Sequence, residues 1–315
     1  MALELDYSNV HGHDSMLKDT VRCEAFRNAI FETVTPDSVV LDVGAGTGLL
    51  SLFAAQAGAR TVYAVERTDI AELAKDIVAK NGFADRITVL HQDVEDINLP
   101  QQVDVIVSEW LGGYALDENL LPIVVQARDR WLKPAGKMIP QATASLIVPA
   151  YDSLHQQNID FWNSYPYAID LSPIGTVRSC LSYNAMHDLK QDRLCFAPQK
   201  MWEIDCQTCT IEDANRPFKA QLTFTAQRTG PINALAAWFD ASLSDTVRLC
   251  NGPGEPDTHW GRCVFPLGQV VDVAKDAQVQ VSFTHNPQGK GHSLASWEIV
   301  IDDYSFRSSD VTILT

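Results

Sequence analysis

Two glutamates, Glu109 and Glu118, stand nine residues apart in the stretch Val107-Ser108-Glu109-Trp110-Leu111-Gly112-Gly113-Tyr114-Ala115-Leu116-Asp117-Glu118. The glycine pair between them lets the chain double back, so the two carboxylates can face each other across a small pocket. Facing carboxylates repel and raise each other's pKa unless a cation sits between them. A guanidinium suits that gap, because it presents several N–H donors in a fixed fork and stays charged at any ordinary pH. For an isolated pair of acids the ordinary reading is a solvated surface loop. The neighbouring segments decide against it here.

An apolar strand, 103–107, delivers this loop. Earlier in the chain another buried strand, Ser38-Val39-Val40-Leu41-Asp42-Val43, runs into three glycines at alternate positions, Gly44, Gly46 and Gly48, and then into a helix over 49–57. Strand, glycine turn and helix form the nucleotide-binding opening of a doubly wound sheet, with glycines where the backbone must approach a ligand. The second strand, 61–65, ends at Glu66, twenty residues beyond Gly46, where a carboxylate can accept from both ribose hydroxyls. A helix over 70–81, a strand over 87–90 and a helix over 120–132 continue the alternation, the last stopped by Lys133-Pro134-Ala135-Gly136. Asp42, Glu66, Glu95 and Glu109 then fall at the carboxyl ends of successive strands, the edge at which such sheets bind ligands. Ahead of all this, residues 13–34 read as one helix with Asp14 as N-cap; Asp19 and Arg22 on it have solvated surface roles by default.

After Pro140 the pattern changes to short strands separated by turn formers: 145–148, 202–205, 219–225, 233–241, 264–266, 279–284, 297–302 and 311–314. This predicts an all-β sandwich or barrel. Between them lies a segment rich in aromatics, Phe161, Trp162, Tyr165, Tyr167 and Tyr183, of the kind that favours interfaces. The 315 residues suit two domains. A net charge of −16 argues against a nucleic-acid partner and favours cationic ones. No apolar run reaches the length of a membrane span, and Met1 to Asp6 has no signal-peptide character. Seven scattered cysteines fit reduced thiols in a cytoplasm. In Cys206-Gln207-Thr208-Cys209, placed on a strand, the sulfurs point to opposite faces, which disfavours a metal or redox pair. His11, His13, His155, His187, His285 and His292 show no metal-ligand spacing.

Four motifs, in order, resemble those of the protein arginine methyltransferases. Val40 to Gly48 is similar to the S-adenosylmethionine-binding motif of class I methyltransferases, and Ser108 to Glu118 to the family's double-glutamate loop. Met16-Leu17-Lys18-Asp19-Thr20-Val21-Arg22 resembles its N-terminal helix motif, and Asp257-Thr258-His259-Trp260 its Thr-His-Trp loop. The resemblance implies a Rossmann-like α/β domain over 1–142 and a β-barrel substrate domain over 143–315. A helical dimerisation arm at about 158–189 would dock on a second copy. It implies S-adenosylmethionine as cofactor and S-adenosylhomocysteine as product. Arg22 would meet the methionine carboxylate, Asp42 and Gly44 to Gly48 the methionine and ribose region, Glu66 the ribose, and Val94 and Glu95 the adenine. Glu109 and Glu118 would hold the guanidinium, and Asp19 with His259 would relay a proton. Met16, Trp260 and Tyr7 would line the acceptor pocket.

The sequence departs from the family in two places. Only Tyr7 of a Tyr-Phe-x-x-Tyr motif is present, with Leu3 and Glu4 at the other positions, and Leu120 replaces the family's second active-site methionine. The number of methyls added therefore stays open, as does the acceptor: arginine in a protein, free L-arginine, or another small guanidine. The competing classes are an NAD-dependent oxidoreductase, which the glycine turn and Glu66 also fit, and a non-catalytic binding module. The oxidoreductase reading leaves the double-glutamate loop unexplained; a binding module would tolerate Glu118→Gln, which an enzyme would not.

Overall fold

The computed structural model describes residues 10–308 apart from 188, 190 and 290. Tyr7 and the strand expected at 311–314 lie outside the described residues. The N-terminal half is a five-stranded parallel sheet in the order β3-β2-β1-β4-β5. Its strands are β1 (Val39–Val43), β2 (Thr61–Glu66), β3 (Ile87–His91), β4 (Val103–Val107) and β5 (Leu132–Ile139). Every residue of β1 is buried, as expected of a central parallel strand covered on both faces. The helices are α1 (Val10–Lys18), α2 (Thr20–Thr33), α3 (Leu49–Gln56), α4 (Ile70–Lys80) and α5 (Leu121–Trp131).

Two expectations need correction here. The helix read over 13–34 is two helices broken at Asp19, whose side chain accepts the Arg22 N–H and caps α2. Asp14 is no cap; it lies inside α1 and pairs with Lys18. Apolar spacing runs on through the break, so periodicity alone could not reveal it, whereas a short carboxylate competes readily for a helix's first N–H groups. Lys133-Pro134-Ala135-Gly136 is also no loop. It belongs to β5, where an edge strand tolerates proline.

From Ala142 onward the chain is antiparallel. One sheet orders β7-β12-β10-β6-β8, with β11 added to β10, and a second orders β15-β14-β13-β9. Here β6 is Ala142–Ala150, β7 Tyr183–Ala185, β8 Gln199–Asp205, β9 Phe218–Thr225 and β10 Gly230–Ser242. The rest are β11 Arg248–Cys250, β12 Arg262–Val273, β13 Gln278–Pro287, β14 Ser293–Ile301 and β15 Tyr304–Arg307. Three of these, β7, β11 and β15, are too short for a period of two to mark them in the sequence. Cys206 and Cys209 sit not on a strand but in the turn after β8, and both are free thiols.

A helical excursion leaves the barrel between β6 and β7 through α6 (Ser153–Asn163) and α7 (Ser172–Arg178). Its root is fixed by buried Asp152, which accepts from the N–H groups of Leu154 and His155, the Tyr183 hydroxyl and the His187 ring. Its outer surface leaves Leu154, Phe161, Tyr165, Ile169 and Ile174 exposed, and Tyr167 is 82% exposed. Among the described residues no helix is long and apolar enough to cross a membrane.

Candidate active site

The glycine turn is shaped by its own half of the molecule. Gly44, Gly46 and Gly48 have φ of 73°, 54° and 83°, values that L side chains rarely adopt. The N–H groups of Gly44 and Ala45 both donate to Val65 O at 2.9 Å, which ties the turn to the end of β2. Glu66 is buried and accepts from Gly46 N–H at 2.9 Å and from the Thr68 N–H and hydroxyl at 2.8 Å. Asp42 is wholly buried. Its Oδ2 accepts from the Ser51 hydroxyl, while its Oδ1 has no hydrogen-bond partner among the described residues. Burial pushes this carboxyl up to about 7, against the opposing bonds from Ser51. Among the described residues nothing lies within 4 Å of a Cβ at Gly44. Open space above one glycine, an orphaned buried oxygen beside it and an acid at the next strand end fit a nucleoside linked to an amino acid. Val94 is buried and Glu95 half-buried beyond β3, and the Glu95 carbonyl is held by Arg130 at 2.7 Å.

α1 lies across this turn. A Cβ at Gly46 would come within 2.8 Å of His13 Cε1, so the buried His13 ring packs on the glycine backbone. Without metal-ligand spacing, His13 carries no obvious mark of this role in the sequence. Its spacing from Met16, one helical turn, was the available signal.

The acceptor side is assembled between the two halves. Glu109 follows β4, and its side chain is 9% exposed. Its Oε2 accepts from Arg22 Nε at 3.1 Å and Nη2 at 2.8 Å, and its Oε1 accepts the Leu111 N–H. The structure thus joins two residues read separately: Arg22, expected to meet a carboxylate, and Glu109, expected to meet a guanidinium, satisfy each other. Burial works against the Arg22 charge, but Glu109 holds its pKa above the usual value. Arg22 Nη1 reaches the Met16 carbonyl at 3.4 Å, while the Met16 side chain is half-buried.

The rest of the loop is closed by Asp117, which accepts the N–H groups of Gly113 and Tyr114 at 2.9 and 3.1 Å. Half-buried Glu118 follows it and lies close to Cys263 of β12. Burial first, then the charges of Asp117 and Glu118, keep that thiol protonated. The barrel grips the loop at several points. Ser145 Oγ donates to Tyr114 O, the Tyr114 hydroxyl meets His285 Nδ1 at 3.1 Å, Ser293 Oγ donates to Asp117 O, and Asn251 donates to Gly113 O.

Asp19 and His259, separated by 240 residues, are in contact: Asp19 Oδ2 accepts from His259 N–H at 2.9 Å and lies 2.8 Å from His259 Nδ1. Burial raises the Asp19 carboxyl, but bonds from the His259 ring and from the Arg22 and His259 backbones bring it below its ordinary value. A carboxylate only accepts, so the His259 Nδ1–H donates to Asp19 and turns Nε2 away from it. Trp260 is buried, its ring 4.1 Å from that of His259 and edge-on to Phe239, so it supports the histidine from the barrel core. A pocket of about 250 Å³ opens beside this pair, lined by Ser15, Lys18, Thr20, Met186, Asp257 and Thr258.

A parallel sheet of this order, with a glycine turn and an acid at the next strand end, makes the N-terminal half a Rossmann-like nucleotide-binding domain, and residues 40–136 match the family described as Methyltransferase domain. Residues 142–309, just over half of the chain, match the Arginine methyltransferase oligomerization subdomain. The chain is 35% identical over 319 residues to protein arginine N-methyltransferase 6 of Danio rerio, covering 98% of this chain and 91% of that one. It is 38% identical over 296 residues to protein arginine N-methyltransferase 1.1 of Arabidopsis thaliana, covering 90% and 73%. The Trypanosoma brucei PRMT1 enzyme–prozyme complex with AdoHcy superposes with a TM-score of 0.84 at 29% identity, covering 96% and 99%. The chain belongs to the arginine methyltransferase family.

Proposed function

We propose that this protein is an S-adenosylmethionine-dependent arginine N-methyltransferase whose acceptor is an arginine side chain in a protein. The observation that carries it is that one N-terminal segment meets both sides: His13 packs on the glycine turn, while Arg22, on the first turn of the helix that Asp19 caps, touches buried Glu109 directly. The names of the relatives support protein-bound arginine over free L-arginine.

Bound S-adenosylmethionine supplies an electrophilic methyl on a sulfonium and leaves as S-adenosylhomocysteine. Gly44, Gly46, Gly48, Asp42, Glu66, Val94 and Glu95 would hold its nucleoside, with His13 covering the turn and Arg22 meeting its carboxylate. Glu109 and Glu118 draw the positive charge of the guanidinium toward the nitrogens they bind and leave the target nitrogen richer in electrons. They also aim it, and such positioning supplies several kcal/mol. As the new N–C bond forms, the target nitrogen gives up a proton. Glu109 and Glu118 are the nearest acceptors, and His259, oriented by Asp19, passes it outward through Nε2. Met16 would line the acceptor side, with Trp260 backing His259 from the barrel core. We divide the chain into a cofactor domain over 1–142 and a substrate domain over 143–315, in a cytoplasmic enzyme. The exposed aromatics of the excursion supply the face through which two copies form a homodimer.

The test offers labelled S-adenosylmethionine with free L-arginine, an Arg-Gly-rich peptide and a histone-like protein. Label in the peptide or protein is expected; label in free arginine alone would overturn the acceptor assignment, and label in none would overturn the activity. Mass analysis counts the methyls.

A further inference from the structure

Asn251 follows β11 and is 1% exposed. Its side chain is fully used and divides its bonds between three segments. Oδ1 accepts the Phe239 N–H of β10 at 2.9 Å. Nδ2 donates to Gly113 O at 2.9 Å and to Gly261 O at 2.7 Å. The two carbonyls belong to the two loops that carry the chemistry, 138 and 10 residues away along the chain.

Each carbonyl leads straight to a working side chain. The N–H of Gly113 donates to Asp117, and Glu118 is the next residue. The N–H of Gly261 donates to Thr258 O at 3.2 Å, closing the turn that presents His259. Both loops are closely packed at these glycines. A Cβ at Gly113 would overlap Cys263 Sγ, and one at Gly261, where φ is 61°, would overlap Ala185 O. The loop beyond Asn251 is braced as well: buried Arg262 donates to Gly252 O and Glu255 O at 3.1 Å and to Asp257 at 2.8 Å. The Asn251 amide is therefore a direct tie between the glutamate loop and the histidine loop.

We infer that Asn251 is a positioning residue for methyl transfer, setting the separation of Glu118 from His259 through one bifurcated amide. The inference rests on the reading that Glu118 and His259 act in the transfer. Only an NH2 group can serve both carbonyls. A carboxylate of the same shape keeps the bond from Phe239 but turns an acceptor toward two acceptors, and the loops must part. A misplacement of about 1 Å at a reacting pair can cost on the order of 100-fold in rate. The cofactor cleft contains none of the atoms that Asn251 holds, so its affinity should not change.

The experiment compares wild type, Asn251→Asp and Glu118→Gln by single-turnover rate on an Arg-Gly-rich peptide. S-adenosylhomocysteine affinity is read by calorimetry and folded fraction by circular dichroism. Asn251→Asp is expected to lose about 10- to 100-fold in rate with product affinity within about twofold of wild type. Its rate relative to wild type should rise as pH falls, because the protonated acid regains one donor, while the folded fraction stays constant. Asn251→Ser, whose hydroxyl keeps a single donor, is read in the same way if the aspartate variant does not fold. A rate within twofold of wild type beside an inactive Glu118→Gln would overturn the positioning role alone. Parallel loss of rate and product affinity would overturn it too, as general damage to the fold. Full activity in Glu118→Gln would overturn the reading of the site on which the inference stands.

Discussion

The glycine turn and the glutamate loop leave adjacent strands of one sheet, yet they are held by different means. The turn is fixed from within its own half, by Val65 O and the Glu66 carboxylate, at separations of about twenty residues. The loop is fixed from the barrel, through Asn251, His285 and Ser293, at separations of 138 to 176 residues. The cofactor side is thus formed by local chain geometry, whereas the acceptor side exists only once both halves have packed. Lesions on the two sides should read out differently, one in affinity and the other in rate.

The largest separation is expected for Glu118→Gln. Loss of one charge facing the guanidinium should lower turnover by about 1000-fold, near 4 kcal/mol of barrier, with S-adenosylhomocysteine affinity unchanged. A matching fall in that affinity would break the division between the sides.

Next comes a pH dependence confined to the acceptor side. Burial drives the His285 pKa down from 6.5 to about 4. A depressed histidine favours the folded state above its unfolded value and loses that advantage as pH falls from 6.5 through 4, a difference of about 3 kcal/mol. His285→Gln, which keeps a polar partner for the Tyr114 hydroxyl, should flatten the acid loss of stability by about that amount. Denaturant melts of both proteins at pH 7 and pH 4 measure it, and equal acid losses would refute the assignment.

On the cofactor side, Gly46→Ala forces a left-handed φ on an L residue and drives a methyl toward His13. About 1–2 kcal/mol of strain should weaken cofactor binding by roughly tenfold, while turnover at saturating cofactor stays near wild type. Calorimetry with S-adenosylhomocysteine decides it.

The smallest effect is a control for what makes an interdomain contact matter. Thr246 donates from N–H and hydroxyl to Glu32 of α2, across the same domain junction as Asn251 but exposed. Thr246→Val should change stability by under about 0.5 kcal/mol and leave rate and affinity alone. A larger change by thermal melt would show that distance along the chain, rather than burial, gives such contacts their weight.

The same contrast explains what the amino-acid sequence could reveal. The glycine turn was legible because Gly44, Gly46, Gly48 and Glu66 sit close together and each answers to a backbone or strand-end requirement. Glu109, Glu118, Asp19 and His259 can be named through motifs, and the family resemblance also pairs Asp19 with His259, but the partner of Glu109 carries no such mark. The bridge from Arg22 to Glu109 spans 87 residues, and nothing in either segment marks the other. Asn251 carries no motif at all; its value lies wholly in which carbonyls the barrel brings to it. The break at Asp19 was hidden because one short polar residue leaves the apolar spacing on both sides intact. β5 was hidden because Lys133, Pro134 and Gly136 have the composition of a turn while occupying an edge strand.

That break has a consequence for length. Asp19 sits at the tip of α2 and Arg22 on its first turn, so the carboxylate that meets His259 and the guanidinium that meets Glu109 are indexed by three residues of helix. One residue inserted between them would swing Arg22 about 100° around the axis, away from β4. This stretch is a ruler: side chains along it can be exchanged, but its count cannot.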